Sequence, residues 1–387
     1  MPGGPPLNRM RAMNRTVSRG TAAIQALCAQ GLSAEALVPA VLEALHRVVP
    51  SSRNLFDWTD AQGRLLRYYF EGPIDATIAQ LYFDEFHNRR EAEAMPAFDV
   101  LARTPMGVHS AAALDTPAFF ASALYREIWR PQGLKYRVEA VLRGRDGTLI
   151  GSLVLYRGPD DTCFTSAEER RLAQVLPAFG AALERAGQAE AAARHVPSPD
   201  PVESLVLGMD QRVRHATPGA HRLLLLASGG VSRDALAQPL DQLASLVLAP
   251  LLQRLRGQTH MGVGCAAAAH TVLPLPELRL SNAWGQFVVR ARLLTPTAKV
   301  ETCLLLVDLA RQEPHSVALA RRLGQLPLTP GQAQVCAGLV QGQSQACIAR
   351  QLGVAPATVV DHVRKIYRAL GVNSALELKG LVERPLA

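Results

Sequence analysis

The stretch Ala357-Thr358-Val359-Val360-Asp361-His362-Val363-Arg364-Lys365-Ile366-Tyr367-Arg368-Ala369-Leu370 carries the pattern on which the reading of this 387-residue chain turns. Its apolar side chains Val359, Val363, Ile366 and Leu370 recur at i, i+4, i+7 and i+11, one stripe of an α-helix facing a core. At about 100° per residue, Ala357, Asp361, Arg364 and Arg368 fall on the opposite face, flanked by Val360 and Lys365. A short helix with a buried stripe and Arg/Lys opposite has the shape that enters a DNA major groove. A solvated charged face is the commoner fate of such helices, and the surrounding punctuation decides between the two.

Gly342, Gly353 and Gly371 each follow a periodic run, where a left-handed residue closes a helix. Thr329-Pro330-Gly331-Gln332 reads as a capping box with proline at the first helical position. Ser344 caps a second helix, and Gly353-Val354-Ala355-Pro356 is the tight turn into the third. Ser374-Ala375-Leu376-Glu377 is another capping box, opening a fourth helix with Ala375, Leu378 and Val382 on one side. Four helices, a tight turn between the second and third, and a basic third helix predict an all-α helix-turn-helix domain over residues 326–387.

Leu328-Thr329-Pro330, the run Ser344 to Ala349, Leu352-Gly353-Val354, Thr358-Val359, His362, Ile366-Tyr367 and Leu370-Gly371-Val372 resemble the LuxR-type DNA-binding domain of bacterial transcription regulators. The resemblance implies a homodimer, with the third helix in the major groove and the fourth (Ala375, Leu378, Val382) at the dimer contact. It places Val360, Asp361 and Arg364 against bases and Thr358, Lys365 and Arg368 on phosphates, with Ser344 added to the DNA-contacting set. The chain departs from the family pattern at several points. Gln332, Gln334 and Cys347 stand where glutamates are usual, and Cys347 cannot complete the box that Ser344 begins, costing the second helix up to roughly 1–2 kcal/mol. Ala355 replaces a capping serine, and Val360 replaces a basic residue, which leaves Arg364 to carry more of the readout. Bidentate arginine–guanine contact is worth roughly 1–3 kcal/mol of discrimination.

The chain is long enough for two or three domains with proper cores. Its net charge of +8 suits an anionic partner, and arginine supplies nearly all the positive charge. The six cysteines include no Cys-x-x-Cys and read as small buried hydrophobes in a reducing cytoplasm. No apolar run is long enough for a membrane helix, and residues 1–20, rich in Pro, Gly and Arg, form neither a secretory signal nor an obvious element. They are expected as a disordered tail, with Met10 and Met13 as alternative starts.

Residues 21–187 alternate helical and strand-like runs: a stripe at Val38, Val41, Leu42, Leu45 and Val49, then strands at 54–58 and 65–70. Arg137–Arg143 and Thr148–Tyr156 flank Asp146-Gly147, a strong hairpin signal. Thr165-Ser166-Ala167-Glu168 then opens a helix with Leu172, Val175, Leu176, Phe179 and Leu183 on one face. The run Gly151–Leu155 followed by Phe164-Thr165 resembles the end of a GAF domain, an antiparallel sheet flanked by helices that binds small molecules or dimerises. Tyr125, Trp129 and Tyr136 are either pocket lining or ordinary core, with core favoured about two to one.

Residues 188–203, with Pro197, Pro199 and Pro201, read as a linker. Leu205–Met209, the turn at Asp210-Gln211, Val213–Ala216 and Thr217-Pro218 resemble the opening of a PAS domain over residues 204–312. Strands at Gln286–Leu294 and Thr302–Leu309 close it, around a helical middle at Arg233–Pro276. Residues 313–325 are a connecting helix offering Val317, Leu319, Ala320 and Leu323.

Catalytic constellations do not stand out. Gly342-Gln343-Ser344-Gln345-Ala346 has nucleophile-elbow spacing but lies between two short helices. His260, Cys265 and His270 fit neither a helix face nor a zinc knuckle, and His215 and His221 are similarly weak. There is no phosphate-binding Gly-Lys-Ser/Thr loop. Asp160-Asp161 lacks the partners of a phosphoacceptor site, and the Trp/Tyr pattern of acyl-homoserine-lactone receptors is missing. The expectation is therefore a multidomain chain: α+β GAF-like and PAS-like sensor units, then a four-helix LuxR-type reading head. It is a cytoplasmic regulator and not an enzyme, with neither metal nor cofactor. Its partners are double-stranded DNA, a second copy of the chain, RNA polymerase and a small ligand of unspecified chemistry, with no membrane. The alternative is a signal-binding or scaffolding protein whose degenerate helix-turn-helix makes protein contacts, favoured by Val360 and Cys347.

Overall fold

The computed structural model describes residues 7–73, 75–96, 98–105, 107–186, 194–230, 232, 235, 238–259, 277–294 and 304–383. Helices α1 (Leu7–Cys28) and α2 (Ala34–Leu45) bury Ile24, Leu27, Leu37, Val38, Val41 and Leu42 in one core. The expected tail at residues 1–20 is thus helical from Leu7 onward. The C-terminal half of α1 is held by the burial of Ala23, Ile24 and Leu27, since tertiary packing rather than propensity stabilises most helices. Composition around the polar half carries no sign of that anchor.

Strands β1 (Arg53–Thr59), β2 (Leu65–Phe70), β3 (Gly107–His109), β4 (Tyr136–Arg143) and β5 (Leu149–Arg157) form an antiparallel sheet in the order β2-β1-β5-β4-β3. The β4–β5 hairpin turns at Asp146-Gly147, where Gly147 has φ +84° and Asp146 accepts from the Thr148 amide at 2.9 Å. A Cβ on Gly151 would overlap the Asp57 carbonyl oxygen, so the close approach of β5 to its neighbour β1 requires glycine there. Helix α3 (Ala76–Leu81) follows β2, and α4 (Ser166–Glu184) closes the unit behind the complete Thr165/Glu168 capping box. Leu172, Val175, Leu176, Phe179 and Leu183 of α4 are all buried, with the Phe179 ring 5.5 Å from Phe56. Central positions of β4 and β5 are buried in unbroken runs, because both faces of this sheet are covered.

The second antiparallel sheet holds β6 (His195–Pro197), β7 (Glu203–Gly208), β8 (Val213–Ala216), β9 (Glu277–Asn282), β10 (Gly285–Leu294) and β11 (Leu304–Pro314). Its main order is β8-β7-β11-β10-β9, and β6 pairs with β11. Strand β11 alternates strictly: Leu305, Val307 and Leu309 point inward and their neighbours outward. The inward face packs with α5 (Ala220–Ser228) and α6 (Leu240–Thr259), whose Leu223, Leu224, Leu243, Leu248 and Leu251 are buried. Residues 260–276, the remainder of the expected helical middle, lie outside the described residues.

Of the expected linker at 188–203, residues 188–193 lie outside the described residues, and residues 194–203 are part of this second unit. Residues 195–197 pair with 312–314, and Asp200 bonds Arg222 at 2.6 Å and Arg311 at 3.0 Å. Burial raises the Asp200 carboxyl, but Arg311 and Arg222 outweigh that and hold it at about 2. The proline spacing read as a linker is compatible with an edge segment, since proline tolerates edges. Across the junction with the first unit, Trp284 stacks on Tyr69 with ring centroids 5.7 Å apart and meets Trp58 edge-on at 6.0 Å. Arg222 also donates to the Tyr69 hydroxyl at 3.1 Å.

Helix α7 (His315–Leu323) leads to four further helices: α8 (Pro330–Val340), α9 (Gln345–Leu352), α10 (Pro356–Leu370) and α11 (Ala375–Glu383). It joins two cores. Val317 and Ala320 belong to the core of the sheet units, whereas Leu319 and Leu323 belong to that of the terminal helices.

Candidate nucleic-acid interface

The terminal helices start and stop where local chemistry directs. Thr329 and Gln332 complete their reciprocal box, the Thr329 amide donating to Gln332 Oε1 at 2.9 Å and the Gln332 amide to Thr329 Oγ1 at 3.4 Å. Ser344 Oγ accepts from the Cys347 amide at 3.2 Å, and Ser374 Oγ from the Glu377 amide at 3.1 Å. Glu377 reaches back to the Asn373 amide at 2.8 Å, one residue earlier than a standard box would have it. Ala355 makes no side-chain cap, leaving Pro356 to set the start of α10. Gly342, Gly353 and Gly371 have φ of +77°, +65° and +65°. The turn between α9 and α10 is tied by the Val354 amide donating to the Ala349 carbonyl at 3.1 Å.

Helix α10 buries Val359, Val363 and Ile366 and half-buries Leu370. Thr358, Val360, Asp361, Arg364, Lys365 and Arg368 are exposed on the rest of its surface. Lys365 Nζ lies 2.7 Å from Asp361 Oδ2, and this hydrogen bond holds the Asp361 carboxyl below its ordinary range. Lys365 must therefore exchange one anion for another to reach a phosphate, whereas Arg364 and Arg368 have no described ion pair. Val360, 38 % exposed, puts an apolar side chain on this basic face. Ser344 is exposed at the start of α9, its hydroxyl engaged as a cap. Arg350, exposed in the last turn of α9, is a further cation near the turn that periodicity in α10 alone does not flag.

The dimer set needs correction. Leu378 and Val382 are 0 % and 4 % exposed and sit in the core that α11 shares with α8 and α10, so they are spoken for within one copy. Ala375 is exposed beside Leu376, which at 81 % is the most exposed large hydrophobic residue described. Spacing identified one apolar side of α11, but not that the side faces inward.

Among the described residues no group of three or more His, Cys, Asp or Glu side chains is placed to hold a metal ion. His260, Cys265 and His270 lie outside the described residues. No described helix is long and apolar enough to cross a membrane. In the first unit, Trp129 lines a cavity of about 120 Å³. Tyr125 and Tyr136 instead pack on Phe120, with ring centroids at 5.1 and 6.4 Å.

Residues 326–381 match the family of bacterial regulatory proteins described as the luxR family. No curated protein matches the chain. Among solved structures, it is similar to the crystal structure of the E. coli DhaR(N)–DhaL complex at 14 % identity, over 80 % of this chain and 91 % of that one. The TM-score of that superposition is 0.24, too low to bear on function or fold.

Proposed function

We propose that this chain, whose residues 326–381 form a luxR-family helix-turn-helix domain, is a cytoplasmic, homodimeric transcription regulator that reads double-stranded DNA with α10. The observation that carries the reading is the exposed Arg364/Lys365/Arg368 face opposite the buried Val359/Val363/Ile366 stripe. Arg364 makes the main base contact, Val360 and Asp361 adjoin bases, and Thr358, Lys365, Arg368 and Ser344 hold the backbone. The exposed Ala375–Leu376 edge of α11 takes the dimer contact.

The units at 21–187 and 204–312 supply the signal or dimer input, and RNA polymerase is the downstream partner. Helix α7 supports such coupling, because its two faces are buried in two different cores. Arg321 of the same helix pairs with Glu43 on α2 at 2.8 Å and also with Glu313. A shift in the sheet units therefore moves a helix that the reading head cannot release without exposing Leu319 and Leu323. The reading is of a regulator, without catalysis.

Selection of the purified chain on randomised duplexes across salt, beside Arg364→Ala, tests it. The wild type should enrich a two-fold symmetric motif, and the variant should lose roughly 1–3 kcal/mol of discrimination at one base pair per half-site. Motif-free, steeply salt-dependent binding by both proteins would reduce the interaction to charge alone and overturn the reading.

A further inference from the structure

The cavity under the first sheet lies between β1, β2, β4 and β5 on one side and the segment from α3 to Leu134 on the other. Tyr68, Tyr82, Trp129 and Tyr156 wall it. A small annex continues from it past Asp57 and Arg137 to Glu91 and Glu139. Three carboxyl groups thus meet one guanidinium.

The partners are unevenly shared. Arg137 spends its Nη2 on Glu139 and turns Nη1 to the Met95 sulfur, leaving Nε buried without a partner. Its side chain is 10 % exposed. Glu91 accepts from the Tyr82 hydroxyl at 2.9 Å and from the Asn88 amide at 2.8 Å. Among the described residues Asp57 has as hydrogen-bond partner only the Ser152 hydroxyl, at 3.5 Å, and its side chain lines the cavity. Burial, with the Glu139 charge adding to it, pushes the Asp57 carboxyl up to about 8 against the opposing pull of Arg137 and Ser152. A carboxyl held protonated in this way ionises readily only when a positive charge enters the cavity beside it.

We propose that this cavity is a binding site for a small organic cation, its ammonium group set between Asp57 and the aromatic walls. An anion would face Asp57, Glu91 and Glu139, with the already engaged Arg137 and the His87 imidazole as the basic groups of the lining. A neutral molecule would leave Asp57 protonated and gain no charge attraction from it, whereas a cation favours its ionised form. The aromatic faces add cation–π attraction that an uncharged isostere forgoes. The volume of about 120 Å³ corresponds to a ligand of roughly ten non-hydrogen atoms, taking about 10–15 Å³ per water-sized probe. The site rests on the reading of the first unit as the sensor, and it names the chemistry sensed.

Calorimetric titration of the full chain with a series matched in shape and differing in charge tests this directly. The probes are phenethylammonium, 2-phenylethanol and phenylacetate. The cation should bind at least tenfold tighter than either analogue, and Asp57→Asn should erase that preference while keeping the wild-type far-ultraviolet spectrum. Absence of binding by the cation, equal binding of the alcohol, tighter binding of phenylacetate, or an unchanged preference in Asp57→Asn would each overturn the assignment. The comparison among probes is made on the wild type, so it stands even if the variant folds poorly. Cation binding that leaves DNA affinity unchanged would overturn the sensing role and leave the site standing.

Discussion

The two sheets of this protein repeat one strand order, β2-β1-β5-β4-β3 and β8-β7-β11-β10-β9, yet they treat their second faces in opposite ways. The first sheet is covered on both sides, and the side away from α4 encloses a cavity with Asp57 in its wall. The second is covered on one side by α5 and α6, and among the described residues its other face is mostly only partly buried. Its outer face carries Asp308, which accepts from the Ser204 hydroxyl at 2.7 Å and pairs with a half-exposed Arg292. Each sheet therefore presents a partly buried aspartate on its less apolar face, one set in a cavity wall and the other paired with a half-exposed arginine. Topology fixes which strands are neighbours, but the covering layer decides what a side chain between them experiences.

That contrast orders several expected outcomes. The largest concerns the fully covered inner face of the second sheet. Phe287 is 0 % exposed there, and Phe287→Ala should cost about 3–5 kcal/mol in urea unfolding. A loss below about 1 kcal/mol would mean that this face is far less tightly packed than its burial indicates.

Next comes Asp57→Asn, with the opposite sign. The carboxyl has its ordinary value of 3.8 in the unfolded chain and lies at about 8 in the folded one. Between those values the folded protein keeps a proton that the unfolded chain has released. Its contribution to stability is therefore fully present below about pH 4 and declines by up to about 1.4 kcal/mol per pH unit as the pH rises towards 8. The groups facing it, Glu139, Arg137, Glu91 and Ser152, soften the slope without reversing it. An asparagine has no proton to lose, so the variant should be the more stable protein at pH 8 and the two should converge only below about pH 4. Parallel stability curves from pH 5 to 8 would show that the covering layer leaves Asp57 free to ionise.

The smallest effect is on the outer face. Arg292 is half-exposed, and Asp308→Ala should change stability by less than about 1 kcal/mol, a loss that shrinks further in high salt. A loss of several kcal/mol would mean that this face is covered in solution, as by a second copy of the chain.

Much of the luxR-type domain was legible in the sequence, since its determinants are local. A cap acts over three residues, a glycine over one, and a helical stripe over a dozen, so Thr329, Ser344, Gly353 and the Val359–Ile366 stripe announce their roles without knowledge of anything distant. The same holds for the Asp146-Gly147 hairpin and the Thr165/Glu168 box. Periodicity also separated Arg364 and Arg368 from the buried side of α10. It did not tell which neighbour an apolar stripe would meet, and on α11 it set Leu378 and Val382 at a partner's surface when they fill their own domain's core.

Linear patterning alone was enough for helix boundaries, the hairpin, the basic face and the luxR-type match, because each is written within one or two turns of chain. Tertiary packing decided that Asp57 would be stranded among side chains drawn from residues 55–156, and that β6 would pair with the far end of β11. It also decided that α7 would be buried in two cores. Those outcomes depend on which surfaces exclude water from one another, and desolvation belongs to the assembled layers rather than to any short segment.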